Sequence, residues 1–327
     1  MASNVSAAAH APRPLRVRAL VRRLADGDAV AHIVTLTFAA SIILITSLLV
    51  YQLWIHSADS RKAFGWHFWT NSTWDPVFEH FGALPFIFGT VVTSAIALMI
   101  ALPLGLAAAI FLAELAPRPV SDAISFLIDL LAAVPSVIYG LLGIFVVVPL
   151  MRTVIGPLLK DTLGFLPIFR GPNYGLGLLT ASIVLSIMVV PYIISVSREI
   201  LLTVPRDQRE AALALGATRW EATWKVVVPY ARAGIMGSGF LALARALGET
   251  MAVTMVIGNA AVISTSLFSP ADTIASMLAN QFSEATGTIY LSALIELGLV
   301  LFLITFILNG AARLLILATE RGGGHAA

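Results

Sequence analysis

Six stretches of this chain run predominantly apolar for more than twenty residues each, and that run length constrains the fold more than any motif does. A helix rising 1.5 Å per residue needs about twenty apolar residues to cross a hydrocarbon core of about 30 Å. The stretches cover residues 32 to 54, 85 to 113, 123 to 150, 175 to 197, 235 to 262 and 288 to 316. Hydrophobic residues make up 58% of the 327 and charged residues 12%, against about 25% charged in a soluble domain. The expected fold is therefore an all-α polytopic membrane protein with six transmembrane helices. With no cysteine in the chain, disulfides, thiol catalysis and cysteine metal sites are excluded. The histidines, His10, His32, His56, His67, His80 and His325, lack a ligand-like spacing, so no metal site is expected. The net charge of +2 is small and the basic residues sit in loops, which gives nucleic-acid binding no support.

Loop charge predicts the orientation, because lysine and arginine are retained on the cytoplasmic side. The N-terminal arm carries Arg13, Arg16, Arg18, Arg22 and Arg23, and the segment from Arg198 to Gly234 carries six basic residues. The alternate loops, 55 to 84, 151 to 174 and 263 to 287, hold two, three and none. Both termini are expected to be cytoplasmic. The first apolar run, at 23 residues, exceeds the roughly 7 to 15 of a signal h-region, so it is expected to be retained as a span. Ile55 to Leu84, polar and aromatic, should lie outside the bilayer with Trp66, Trp69 and Trp74 suited to its interface.

The segment between the fourth and fifth spans is far longer than a connection needs to be. Pro205 can open a helix, Glu210 to Ala214 continue it, and Gly216 ends it. Thr218 followed by Glu221 fits a capping box, so a second helix should run through Trp220, Trp224 and Val226 to Pro229. The product is a cytoplasmic helix-turn-helix between spans four and five. Its apolar residues Leu213, Leu215 and Trp220 either await a partner or pack on the span ends, and spacing alone does not choose.

Asp129, Arg245, Glu249 and Glu296 fall inside the proposed spans, where a charge must face a bundle interior or an aqueous cavity. Counted from Ile235, Arg245 lies roughly 15 Å deep. Glu249 follows four residues later, which in a continuous helix places both on one face, amid Gly237, Gly239, Ala242, Ala244, Ala246 and Gly248. One reading is an internal salt bridge. The other is a substrate path in which the guanidinium fork takes an oxyanion and the carboxylate accepts a proton from one that bears a hydroxyl, favouring phosphate over sulfate. Glu296, roughly 12 Å from the other membrane face, is a further path candidate, whereas Asp129 is read as structural. Pro135, Pro149 and Pro191 are expected to mark kinks or helix ends.

The run Glu210-Ala211-Ala212, Gly216, Val226 and Val228-Pro229 resembles the EAA loop of bacterial ABC importer permeases, with valine at two positions where that family prefers isoleucine and leucine. The resemblance implies that Glu210, Ala211, Ala212 and Gly216 dock into a separate ATPase subunit. The three lysines, Lys62, Lys160 and Lys225, follow Arg, Leu and Trp, so this chain has no Walker A motif. Arg245-Ala246-Leu247-Gly248-Glu249-Thr250-Met251-Ala252-Val253, with Ala133 to Gly140 earlier, is similar to the permease subunits of the phosphate ABC transporter, on the PstC-like rather than the PstA-like side of that family. The similarity runs from about Leu84 to the C-terminus. Composition, run length and loop charge give an N-terminal arm over 1–31, a first span with a periplasmic segment over 32–84 and a cytoplasmic tail over 317–327, and the resemblance implies a permease core over 85–316 with its coupling loop at 205–229. It further implies Arg245 and Glu249 in phosphate passage, a second homologous permease chain, an ATPase dimer that binds ATP and Mg, and a periplasmic phosphate-binding protein. No cofactor is expected in this chain. Competing readings are an ABC permease for sulfate or molybdate, and a gradient-driven anion transporter, which leaves the 205–229 loop unexplained.

Overall fold

Helix breakers, more than apolar length, decide where the spans begin and end. The computed structural model describes residues 28–323, with side chains from 30 to 316, so most of the arm expected over 1–31, its five arginines included, and His325 lie outside the described residues. Chain contacts define two compact units, residues 1–55 and 56–327. The first contains nearly all of α1 (Asp28–His56), a span whose apolar window has no buried residue.

In the second unit, α2 (Ala58–Phe64) and α3 (His67–Thr70) precede the span α4 (Leu84–Leu115). Next come α5 (Arg118–Ala132), the span α6 (Ser136–Leu163) and the span α7 (Leu178–Leu202). The short helix α8 (Arg206–Ala214) leads to the span α9 (Arg219–Leu247), then α10 (Met251–Ile257), α11 (Ile274–Gln281) and α12 (Thr288–Gly323). Among the described residues, six helices are long and apolar enough to cross a membrane. Helix α12 continues unbroken past residue 316 to Gly323.

Two span boundaries differ from expectation. The third apolar stretch, expected over 123 to 150, is cut at Pro135, because the residue before a proline is driven out of helical geometry. Its first part belongs to α5, a strongly amphipathic helix whose Asp129 accepts a hydrogen bond from Ser195 Oγ of α7 at 2.8 Å. The span proper is α6, which starts at Ser136. The fifth, expected over 235 to 262, instead begins at Arg219 and stops at Leu247. The loop's second helix thus does not end at Pro229. A π-helical turn at Thr223–Val227 loosens the ladder just before that proline, accommodating its ring and its missing N–H, and the helix runs on into the membrane.

The bundle is organised around α7, the span with the largest buried share. Close approach comes from small residues, as expected where no hydrophobic force drives span association. A Cβ at Gly105 of α4 would lie 2.7 Å from Ile193 Cγ2 of α7. One turn further along α7, Ser197 and Ser238 of α9 share a hydrogen bond of 2.8 Å. A second core gathers Phe68, Phe81, Phe86 and Leu294 beside α12. Trp74 is half-buried. It packs edge-on against Phe81 and Phe86 at 4.8 and 5.0 Å between ring centroids, and its indole N–H donates to Gln281 Oε1 at 3.1 Å. Trp66 remains exposed.

Candidate functional site

Helix α9 stops because Gly248 leaves helical geometry (φ −95°, ψ 1°), and α10 restarts after Thr250. Arg245 lies in the last turn of α9, where a cation meets the negative end of the helix dipole. Glu249 sits in the gap. Its Oε1 accepts the Ala252 N–H at 3.3 Å, in the manner of an N-terminal cap for α10. The sequence argument that both charges share one helix face therefore fails, since no continuous helix joins them. Among the described residues, no hydrogen bond or ion pair links Arg245 to Glu249. Each charge is supported by a helix end, which leaves the guanidinium and the second carboxylate oxygen of Glu249 uncommitted.

This gap is built against a second one. Tyr139, in the first turn of α6, donates its hydroxyl to the Leu131 carbonyl at 2.7 Å, bridging the Pro135 break between α5 and α6. Arg245 lies close enough for its charge to act on that phenol. Helix α10 packs directly on α6 at Gly140, where a Cβ would stand 3.3 Å from Ala252 Cα and 2.4 Å from Met255 Sδ. Two interrupted helices thus meet, with Arg245 exposed on the chain surface and Glu249 half-buried beside the junction. Irregular backbone at membrane depth is tolerated where it is buried in protein or lines a cavity, and half-helix ends are suited to ionic substrates.

Glu296 is placed elsewhere. It is 2% exposed, on α12 beside Ser60 and Arg61 of the α2 segment. There Ser292 Oγ accepts the Ser60 N–H at 3.0 Å and donates to the His56 carbonyl at 2.9 Å. No hydrogen bond or ion pair joins Glu296 to Arg245 or Glu249 among the described residues.

The 205–229 segment forms the expected pair of helices. Gly216 adopts φ +87°, a left-handed turn that favours glycine. The capping box is complete, with the Glu221 N–H on Thr218 Oγ1 at 3.2 Å and the Thr218 N–H on Glu221 Oε2 at 3.0 Å. Spacing left open whether the loop's apolar residues pack inward. They do not: Leu215 is 90% exposed, and Leu213, Trp220 and Trp224 are exposed as well. Glu210, Ala211 and Gly216 share that open surface, and Ala212 is partly covered.

Three residues escaped the sequence reading. Tyr139 lies within the Ala133 to Gly140 run, and the proline four residues before it is the one local sign of the break it spans. Asp272, 3% exposed, falls in a loop outside the spans, where sequence gives no sign of burial. Arg209 looked like one more loop cation, and no local signal distinguishes it.

An all-helical membrane bundle with abutting interrupted spans and an exposed helix pair at the head of the fifth span defines the membrane component of a transport system. The chain belongs to the family described as binding-protein-dependent transport system inner membrane component, whose model matches residues 101–319. Within that family it is 47% identical over 310 residues to the phosphate transport system permease protein PstC of Mesorhizobium japonicum, covering 94% of this chain and 95% of the relative. It is 47% identical over 294 residues to PstC of Haemophilus influenzae, covering 89% and 93%. A probable PstC of Methanocaldococcus jannaschii is 35% identical over 303 residues, covering 91% and 95%. The fold matches a bacterial alginate ABC transporter chain with TM-score 0.57 at 15% identity, covering 89% of this chain and 96% of that one. It also matches the MetNI methionine ABC transporter with TM-score 0.52 at 16% identity, covering 76% and 99%.

Proposed function

We propose that this permease subunit carries phosphate inward through the junction of its two interrupted spans, with Arg245 and Glu249 as the substrate-contacting groups. The observation that carries the reading is the separation of the pair: each charge is held by a helix end rather than by the other, so both can turn to a ligand. A guanidinium presents a planar fork of donors to an oxyanion. Glu249 keeps one oxygen on the Ala252 N–H and has the other for the hydroxyl of hydrogen phosphate. Sulfate brings no such proton and would meet a bare negative charge. The names of the 45–47% identical relatives support the same substrate. Glu296, sealed against α2, would join the path only once those elements separate.

On this reading both termini are cytoplasmic, the exposed helix pair docks on an ATPase dimer that binds ATP and Mg, and a second, homologous permease chain completes the path. A periplasmic binding protein delivers the phosphate. The test is uptake by proteoliposomes holding the complete importer, with phosphate and sulfate offered in competition. Glu249→Gln should lower phosphate uptake and narrow the preference over sulfate. An unchanged preference refutes the role of Glu249, and uptake that persists without ATP under a proton gradient refutes the ATP-driven mechanism.

A further inference from the structure

Helix α8 presents a mechanical problem. None of its nine residues is buried, so no apolar core holds it to the bundle. Its fastening is polar, and it converges on one side chain. Arg209 Nη2 lies 2.7 Å from Glu114 Oε1 and Arg209 Nε lies 3.1 Å from Glu114 Oε2, a bidentate fork onto the π-helical turn that ends α4. The same Nη2 donates to the Leu201 carbonyl at 2.8 Å, and Nη1 donates to the Val204 carbonyl. These carbonyls belong to the end of α7 and the residues just after it, at the negative end of the helix dipole; the Leu201 carbonyl also accepts the Val204 N–H at 3.3 Å. One guanidinium thereby satisfies a carboxylate and two carbonyls on two different spans. The side chains of Arg209 and Glu114 are 21% and 10% exposed, so water competes weakly for these contacts.

We infer that Arg209 is a positioning residue that transmits movement of the coupling helix to α4 and α7, and that uptake per ATP depends on it more than hydrolysis does. The inference rests on the proposed ATP-driven function. Displacement at the exposed loop reaches α9 directly, since the second loop helix is its head, and reaches α7 along the backbone, since residues 203–205 alone separate α7 from α8. No backbone leads directly from α8 to α4, and Arg209 makes that crossing while tying α8 to the carbonyls at the end of α7. Beside it opens a cavity of about 700 Å³, lined by Arg118, Asp122, Arg198 and Arg219 as well as the clamp itself. Apart from the clamp, α8 packs on the second loop helix at the head of α9. Without the clamp, α9 would still respond to the ATPase while α4 would not follow and α7 would be joined to α8 by residues 203–205 alone, and the two sides of the path would move out of step.

The experiment uses the complete importer in proteoliposomes and measures ATP hydrolysis and phosphate uptake on the same preparation. Arg209→Ala should retain the ATPase subunits and hydrolyse ATP at the wild-type rate or faster, with uptake per ATP reduced about tenfold or more through the loss of four charge-assisted contacts. Arg209→Lys should recover only part of the ratio, because a point charge cannot reproduce the fork. Glu114→Gln keeps the shape and one acceptor, and should lower the ratio in the same direction if the alanine variant fails to assemble. The inference is overturned if uptake per ATP is unchanged in these variants, or if uptake and hydrolysis fall in proportion as ATPase subunits are lost, which would mark Arg209 as a docking or folding residue. Failure of the phosphate assignment would show separately, as wild-type importer that takes up sulfate or molybdate instead. The ratio for the variants can then be read with that ion.

Discussion

Asp272 should make this protein less stable as the pH rises, and a single amide substitution should remove the effect. Asp272 is 3% exposed in the loop before α11, and its backbone lies against α4: a Cβ at Gly89 would stand 1.9 Å from the Asp272 backbone carbonyl oxygen. Burial pushes its pKa from 3.8 up to about 6, outweighing the Ser276 hydroxyl and the Thr273 N–H, which donates to Oδ1 at 2.8 Å. Below the unfolded value both states hold the proton and no penalty exists. Between the two values the unfolded chain releases it while the folded chain retains it, so stability falls with rising pH until the folded value is passed. At about 1.4 kcal/mol per unit, a shift of this size costs about 3 kcal/mol at pH 8 relative to pH 3. Asp272→Asn keeps the acceptor for Thr273 and cannot ionise. Its unfolding free energy in mixed micelles should match the wild type near pH 3 and exceed it by about 3 kcal/mol at pH 8. Parallel curves for the two proteins from pH 3 to 8 would refute the assignment of a raised pKa to the buried Asp272.

Two further predictions concern packing and capping. Gly89→Ala forces α4 away from the Asp272 loop and threatens the Ile274 N–H bond to Thr90 Oγ1 at 3.0 Å; it should cost about 3 kcal/mol or more, read as a lowered thermal midpoint in detergent. Thr218→Ala breaks the capping box at the head of α9 and should cost about 1 kcal/mol. Its local signature is faster amide exchange at Glu221, with the membrane core unaffected.

What the sequence determined by itself was the membrane class, the number of spans and the helix pair between the fourth and the fifth. Those follow from local quantities: run length, the Gly216 turn and the Thr218–Glu221 spacing act within a few residues of themselves. Arg245 and Glu249 were legible as ionisable groups that the bilayer must accommodate. Their relation was not, because a count of four residues assumes an unbroken helix, and Gly248 with Thr250 breaks it. Whether such a break forms depends on packing, here the approach of α10 to Gly140 beside the Pro135 gap, which involves residues over a hundred positions apart. Glu114 and Arg209 lie 95 residues apart, and Asp272 acquires its raised pKa only through burial in the folded bundle. Burial and long-range hydrogen bonding are properties of the assembled bundle, so tertiary structure alone decided which charges are sealed, which are clamped and which remain open to a ligand.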